Sequence, residues 1–141
     1  MALPGDGDET SLVLRTDFSD DAAWEAVCAA VDAAEEFSTA AFVSDPRFAG
    51  VGVQALIDEE SAAEDREKVF YVFLADATTM ADPARRLLAV DLGDQPGRTF
   101  RVPPRWFADI SANLVIANMD FAEFADAADG SGTYRGFGDE D

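Results

Sequence analysis

Three aspartates stand where strands would hand over to loops: Asp17 in "LVLRTDFSDD", Asp76 in "YVFLADATT" and Asp91 in "LLAVDLGDQ". In α/β folds, ligands collect outside the carboxyl ends of parallel strands. If these three strands are parallel neighbours, their carboxylates converge, and convergent carboxylates repel one another unless a cation lies between them. Mg²⁺ or Ca²⁺ suits such oxygens, and Thr16, Thr78 or Thr79 would add further oxygen ligands. A site of this kind would assist hydrolysis or phosphoryl transfer. The competing explanation is local. Asp favours strand ends and turns because its side chain bonds nearby backbone N–H groups, and the chain holds 19 of them.

A second grouping is "GRTFRVPPRWF" (97–107). It concentrates Arg98, Arg101 and Arg105 beside Phe100, Trp106 and Phe107. Arg and Trp are favoured at the centres of interfaces, so Arg98, Arg101, Arg105 and Trp106 are candidate partner-binding residues. The alternative is that the aromatics are core and the arginines pair with neighbouring acids.

Other chemistries are excluded by composition. Without histidine there is no imidazole acid–base catalysis, no His-based triad and no His-ligated metal. The lone Cys28 leaves no internal disulfide and no Cys/His zinc site. "GVGV" at 50–53 lacks the spacing and the Lys-Ser/Thr pair of a phosphate loop. Twenty-nine acidic against ten basic residues give a net charge of −19. Such a chain repels nucleic acid and anionic membranes, so neither is an expected partner. Basic proteins, cations and neutral ligands remain.

Hydrophobic periodicity predicts the elements that must position these residues. "SLVLRTDF" (11–18) alternates as a first strand. "SDDAAWEAVCAAVDAAEEF" follows as an amphipathic helix, with Ser19 as its N-cap and Trp24, Val27, Cys28 and Val31 on one face. "FSTAAFVSD" (37–45) reads as a strand, "VGVQALIDEESAAEDRE" as a short helix and "KVFYVFLADA" (68–77) as a buried strand. "RRLLAVDLGD" (85–94) and "RTFRV" form an antiparallel hairpin through Pro96-Gly97, the order a type II turn requires. "PRWFADI" reads as a helical turn and "NLVIAN" as a last short strand. The expected fold class is α/β: a single-domain mixed sheet of about five to six strands flanked by helices, with a C-terminal helix. Residues 1–10 are expected to be a flexible N-terminus, 11–137 the domain and 138–141 an acidic tail. The exposed edge of the 85–102 hairpin offers a route to a homodimer. No apolar run approaches membrane-spanning length, and the N-terminus carries no signal core, so a cytoplasmic location is expected.

"IANMDFAEFADAADG" (116–130) places carboxylates beside two phenylalanines, which invites an acidic-site reading. Its spacing is that of a helix. Asp120 and Glu123 have the separation of a capping box, Met119 and Phe124 that of a hydrophobic staple, and Gly130 can end the helix. Phe121, Phe124, Ala125 and Ala128 then form an apolar stripe, leaving Asp126 and Asp129 for water. Tyr134 and Phe137 are expected to anchor the closing segment.

At "LVLRTDFSDDAAW", "DLGDQPGRTFRV", "NLVIANMDFAEFADA" and "YRGF" the chain resembles a family of small, acidic, uncharacterised proteins common in actinomycetes. The resemblance spans about residues 11–137 and implies one bacterial cytoplasmic domain with no assigned catalytic residue. More locally, "IANMDFAEFADA" is similar to the ending of SUKH-type proteins, many of them immunity proteins, which implies a binding role.

Three functional readings stand at this level. One is a non-enzymatic acidic protein-binding module without a cofactor, of inhibitor or immunity type. Another is a divalent-cation-dependent hydrolase or phosphoryl-transfer enzyme using Asp17, Asp76 and Asp91 with Mg²⁺ or Ca²⁺. The third is a structural protein whose charge only keeps it soluble.

Overall fold

The computed structural model describes residues 11–33, 40–62, 71–83, 85–92, 97–104, 106–107, 110, 114, 121–128 and 132–134. In chain order, strand β1 is Ser11–Arg15, helix α1 Asp21–Ala33, β2 Ala40–Val43, α2 Val53–Ala62 and β3 Tyr71–Ala75. Helix α3 (Ala77–Ala81), strands β4 (Leu87–Asp91) and β5 (Thr99–Val102), and helix α4 (Phe121–Asp126) follow. A 3-10 turn occupies Pro46–Phe48.

The sheet order is β2-β1-β3-β4-β5. Strands β1, β2 and β3 are parallel, with Val13 opposite both Phe42 and Phe73. β4 runs antiparallel to β3, and β5 antiparallel to β4. The alternation of side chains along a strand divides the core. Val13, Phe73, Ala75, Ala89 and Phe100 pack with Trp24, Val27 and Val31 of α1 and with Phe107, Ile110, Phe121, Phe124 and Tyr134. Leu12, Leu14, Val72, Leu74 and Val90 face the other way, against Phe48 and Leu56. The expected five to six strands are thus five among the described residues. α1 and α2 lie on opposite faces, so the connections leaving β1 and arriving at β3 diverge there.

Most expected elements are present, with several corrections. The N-cap of α1 is Asp20 rather than Ser19: its Oδ1 accepts the Ala23 N–H at 3.1 Å. Ser19 instead gives its N–H to Asp17 Oδ1, at 2.9 Å. The strand expected through residue 77 ends at Ala75, because α3 begins there with Asp76 as its N-cap. Leu114, in the expected strand "NLVIAN", is helical, and the rest of that stretch after Leu114 lies outside the described residues.

In the hairpin, Gly97 has φ +95°, as the third position of a type II turn requires. In α4, Phe121 and Phe124 are buried as the stripe predicts. Asp126 is not left to water alone: its Oδ1 accepts from Arg98 Nη2. The proposed cap residues Met119 and Asp120 lie outside the described residues, as do Asp129, Gly130 and Phe137.

At Arg101 the outer side of β5 is taken by the segment Gly132–Tyr134. Arg101 N–H donates to Gly132 O at 2.7 Å, and Tyr134 N–H donates to Arg101 O at 2.8 Å. Tyr134, 1% exposed, anchors the segment as expected. Its ring meets Phe124 at 5.3 Å, Trp106 at 5.7 Å and Phe100 at 6.3 Å between centroids. No helix among the described residues is long and apolar enough to cross a membrane.

Candidate site at the carboxyl edge of the sheet

The parallel pairing of β1 and β3 sets Arg15 beside Ala75, so the residues that follow each strand emerge at one edge. Because the crossovers leave on opposite faces, this is the topological switch point where α/β folds place ligands. Asp17 and Asp76 both stand there. Asp91 does not join them. β4 is antiparallel, and Asp91 pairs with Tyr71 at the start of β3. A residue at the carboxyl end of an antiparallel neighbour faces the opposite edge of the sheet, a strand's length away. The expected convergence of Asp17, Asp76 and Asp91 is therefore corrected to a pair. Among the described residues, no group of three acidic side chains could hold one metal ion.

The two remaining aspartates differ in environment. Asp17 is engaged locally. Its carboxylate accepts from the backbone and side chain of Ser19, which hold its pKa below the ordinary 3.8. Asp76 is half-buried and bound on several sides. Its Oδ1 caps α3 by accepting the Thr79 N–H at 3.0 Å. The Thr79 hydroxyl lies 2.9 Å from Asp76 Oδ1 and 2.8 Å from Arg86 O, and takes the Asp76 N–H in return at 3.3 Å. The Arg101 guanidinium closes a two-pronged fork, Nη1 to Oδ1 and Nη2 to Oδ2, both 3.1 Å. Burial raises the Asp76 pKa, but the Arg101 and Thr79 hydrogen bonds together outweigh it, and the net shift is downward.

The threonines expected as oxygen ligands are similarly placed. The Thr16 hydroxyl bonds Ala75 O at 3.4 Å, and its carbonyl accepts the Gly50 N–H at 2.8 Å. Thr79 is fully buried in the α3 cap, whereas Thr78 is exposed.

Arg15, which the sequence reading did not single out, lies beside Asp17. Its side chain is only 5% exposed, yet its carboxylate partner Asp21, 2.7 Å away, is 83% exposed. Nε donates to Asp17 O at 3.0 Å, and Nη1 reaches Ser44 Oγ at 3.4 Å. The guanidinium lies 4.4 Å from the Phe18 ring centroid and 5.7 Å from that of Trp24. It ties the β1–α1 loop to the end of the sheet, with the cation held against aromatic faces. The available signal was its odd-numbered register with Val13, which turns a charged residue towards α1.

Within the basic-aromatic grouping, Arg98 and Arg101 do not share one face. Arg98 precedes β5 and pairs with Asp126, while Arg101 near its end pairs with Asp76. An odd separation in an extended strand sends the two side chains to opposite faces. Trp106 is half-buried against Tyr134. Arg105 lies outside the described residues.

Among curated proteins none matches the sequence. A domain of unknown function, DUF6924, matches residues 10–137. That span includes every element from β1 to the Gly132–Tyr134 segment, and the chain belongs to the DUF6924 family.

Proposed function

We propose that this protein is a non-enzymatic acidic binding module of the bacterial cytoplasm and that its partner is a basic protein. The observation that carries this reading is the way the chain places its few cations. Arg15 is buried while its partner Asp21 is exposed. The Arg98 partner Asp126 is 70% exposed, and Arg86 and Arg101 are paired with Asp82 and Asp76. These four arginines are each paired with a carboxylate of the fold, and the net charge of −19 acts outwards. A surface potential of one sign steers an oppositely charged partner and repels wrong ones. An inhibitor or immunity-type protein that covers a basic active site is the class of function this field suits.

The test is capture of binding proteins from bacterial lysate on the immobilised chain, followed by calorimetry of each purified partner over a range of NaCl concentrations. The proposal expects a basic partner whose affinity falls steeply with salt. An affinity that does not change with salt would refute the electrostatic docking.

A further inference from the structure

We infer that the Asp76–Arg101 pair is a latch: a cationic side chain of a partner that takes Asp76 from Arg101 loosens the Gly132–Tyr134 segment from β5. The inference rests on the proposed binding of a basic partner and names how such binding would be transmitted.

Arg101 serves two regions at once. Its side chain forms the fork on Asp76 at the carboxyl edge, next to the capping box of α3. Its backbone N–H and C=O hold Gly132 and Tyr134 on the outer side of β5, where Thr133 is its bridge partner. A second strut joins the same regions. Arg86 Nε bonds Asp82 Oδ2 at 2.6 Å just after α3, and its Nη1 reaches Thr133 Oγ1 at 3.0 Å. The segment is therefore attached to the α3 region by two arginines.

The fork is within reach of an external competitor. The Asp76 and Arg101 side chains are 24% and 21% exposed, so neither is sealed from water. A guanidinium from outside can bond the same carboxylate in the same bidentate geometry. It would leave the Arg101 side chain without its carboxylate and the backbone at Arg101 less constrained. The other anchors of the segment, the Tyr134 ring and the Arg86–Thr133 bond, stay in place, so the expected response is partial loosening rather than release.

The experiment is amide hydrogen exchange by NMR on the full chain. It follows the Tyr134 and Arg101 amides, with amides of β3 as the internal standard for global unfolding. Asp76→Asn keeps a capping side chain on α3 but removes the charge that draws Arg101. It should speed exchange at Tyr134 and Arg101 about tenfold more than at β3, the ratio separating a charged from a neutral hydrogen bond, the β3 amides reporting whatever global stability the variant loses. In the unmodified chain a tetra-arginine peptide should produce the same selective acceleration, and in Asp76→Asn it should add nothing.

Unchanged exchange at Tyr134 in Asp76→Asn would overturn the latch. So would acceleration equal to that of β3, or a peptide effect that persists in Asp76→Asn. Because the peptide arm needs no substitution, poor folding of the variant does not block the test. Peptide binding without movement of the segment would overturn the latch and leave the binding reading standing. A loosened segment in the variant with no peptide binding would overturn the transmission and weaken the basic-partner reading itself.

Discussion

Phe124→Ala separates the two meanings of the acidic stretch near the C-terminus. If "DFAEFAD" were an interaction surface, its phenylalanines would be dispensable for folding. In the structure Phe124 is 0% exposed, and its ring stands edge-on to Tyr134 at 5.3 Å. Truncating a fully buried phenylalanine removes its transfer free energy and leaves a cavity, at a cost of about 3–5 kcal/mol. That is a large part of the roughly 5–15 kcal/mol by which domains are stable. In a chain of this size it corresponds to a fall in Tm of roughly 10–20 °C. The assay is urea unfolding at one fixed ionic strength, because screening of −19 charges shifts stability by itself. The midpoint should fall while the slope is kept. A double-mutant cycle with Tyr134→Ala should return a coupling of about 0.5–1.5 kcal/mol for the ring pair. A loss below about 1 kcal/mol for Phe124→Ala would be that of a surface substitution and would refute the placement of α4 in the core.

Further expectations follow from the site. Asp76 has its folded pKa below the ordinary 3.8. The unfolded chain then takes up the proton first as pH falls, so this stabilisation is complete above about 3.8 and is lost as pH drops through the folded value. Acid titrations of stability should show a shallower low-pH limb for Asp76→Asn than for the unmodified chain. Arg15→Ala should cost about 2–3 kcal/mol by removing a buried guanidinium with its hydrogen bonds and aromatic contacts. Arg98→Ala breaks a pair whose carboxylate is exposed and should cost about 0–1 kcal/mol, less at high salt; denaturation at two salt concentrations measures both. Mg²⁺ or Ca²⁺ should raise Tm no more than NaCl of equal ionic strength, in the unmodified chain and in Asp91→Asn alike. A divalent-specific rise abolished by Asp91→Asn would contradict the placement of Asp91 at the far edge.

The features legible along the chain are those with a local cause. The α1 stripe of Trp24, Val27 and Val31 follows from helical period. So do Phe121 and Phe124 in α4, while β3 follows from its unbroken apolar run. The absence of histidine by itself narrows the possible chemistry. Even α3 had a written signal, Asp76 with Thr79 three positions on, although an apolar strand running into it hid the boundary. Strand order and direction were not written locally. "LLAVD" has the same pattern whether it lies parallel or antiparallel to "YVFLA", so only the tertiary pairing showed that Asp91 and Asp76 leave the sheet at opposite edges. The fork between Asp76 and Arg101 joins residues 25 positions apart and depends on β4 lying between β3 and β5. The burial of Arg15 likewise needed α1 folded back over the end of β1. Periodicity records which face of an element is apolar, whereas the meeting of distant charges depends on how the elements are ordered in space.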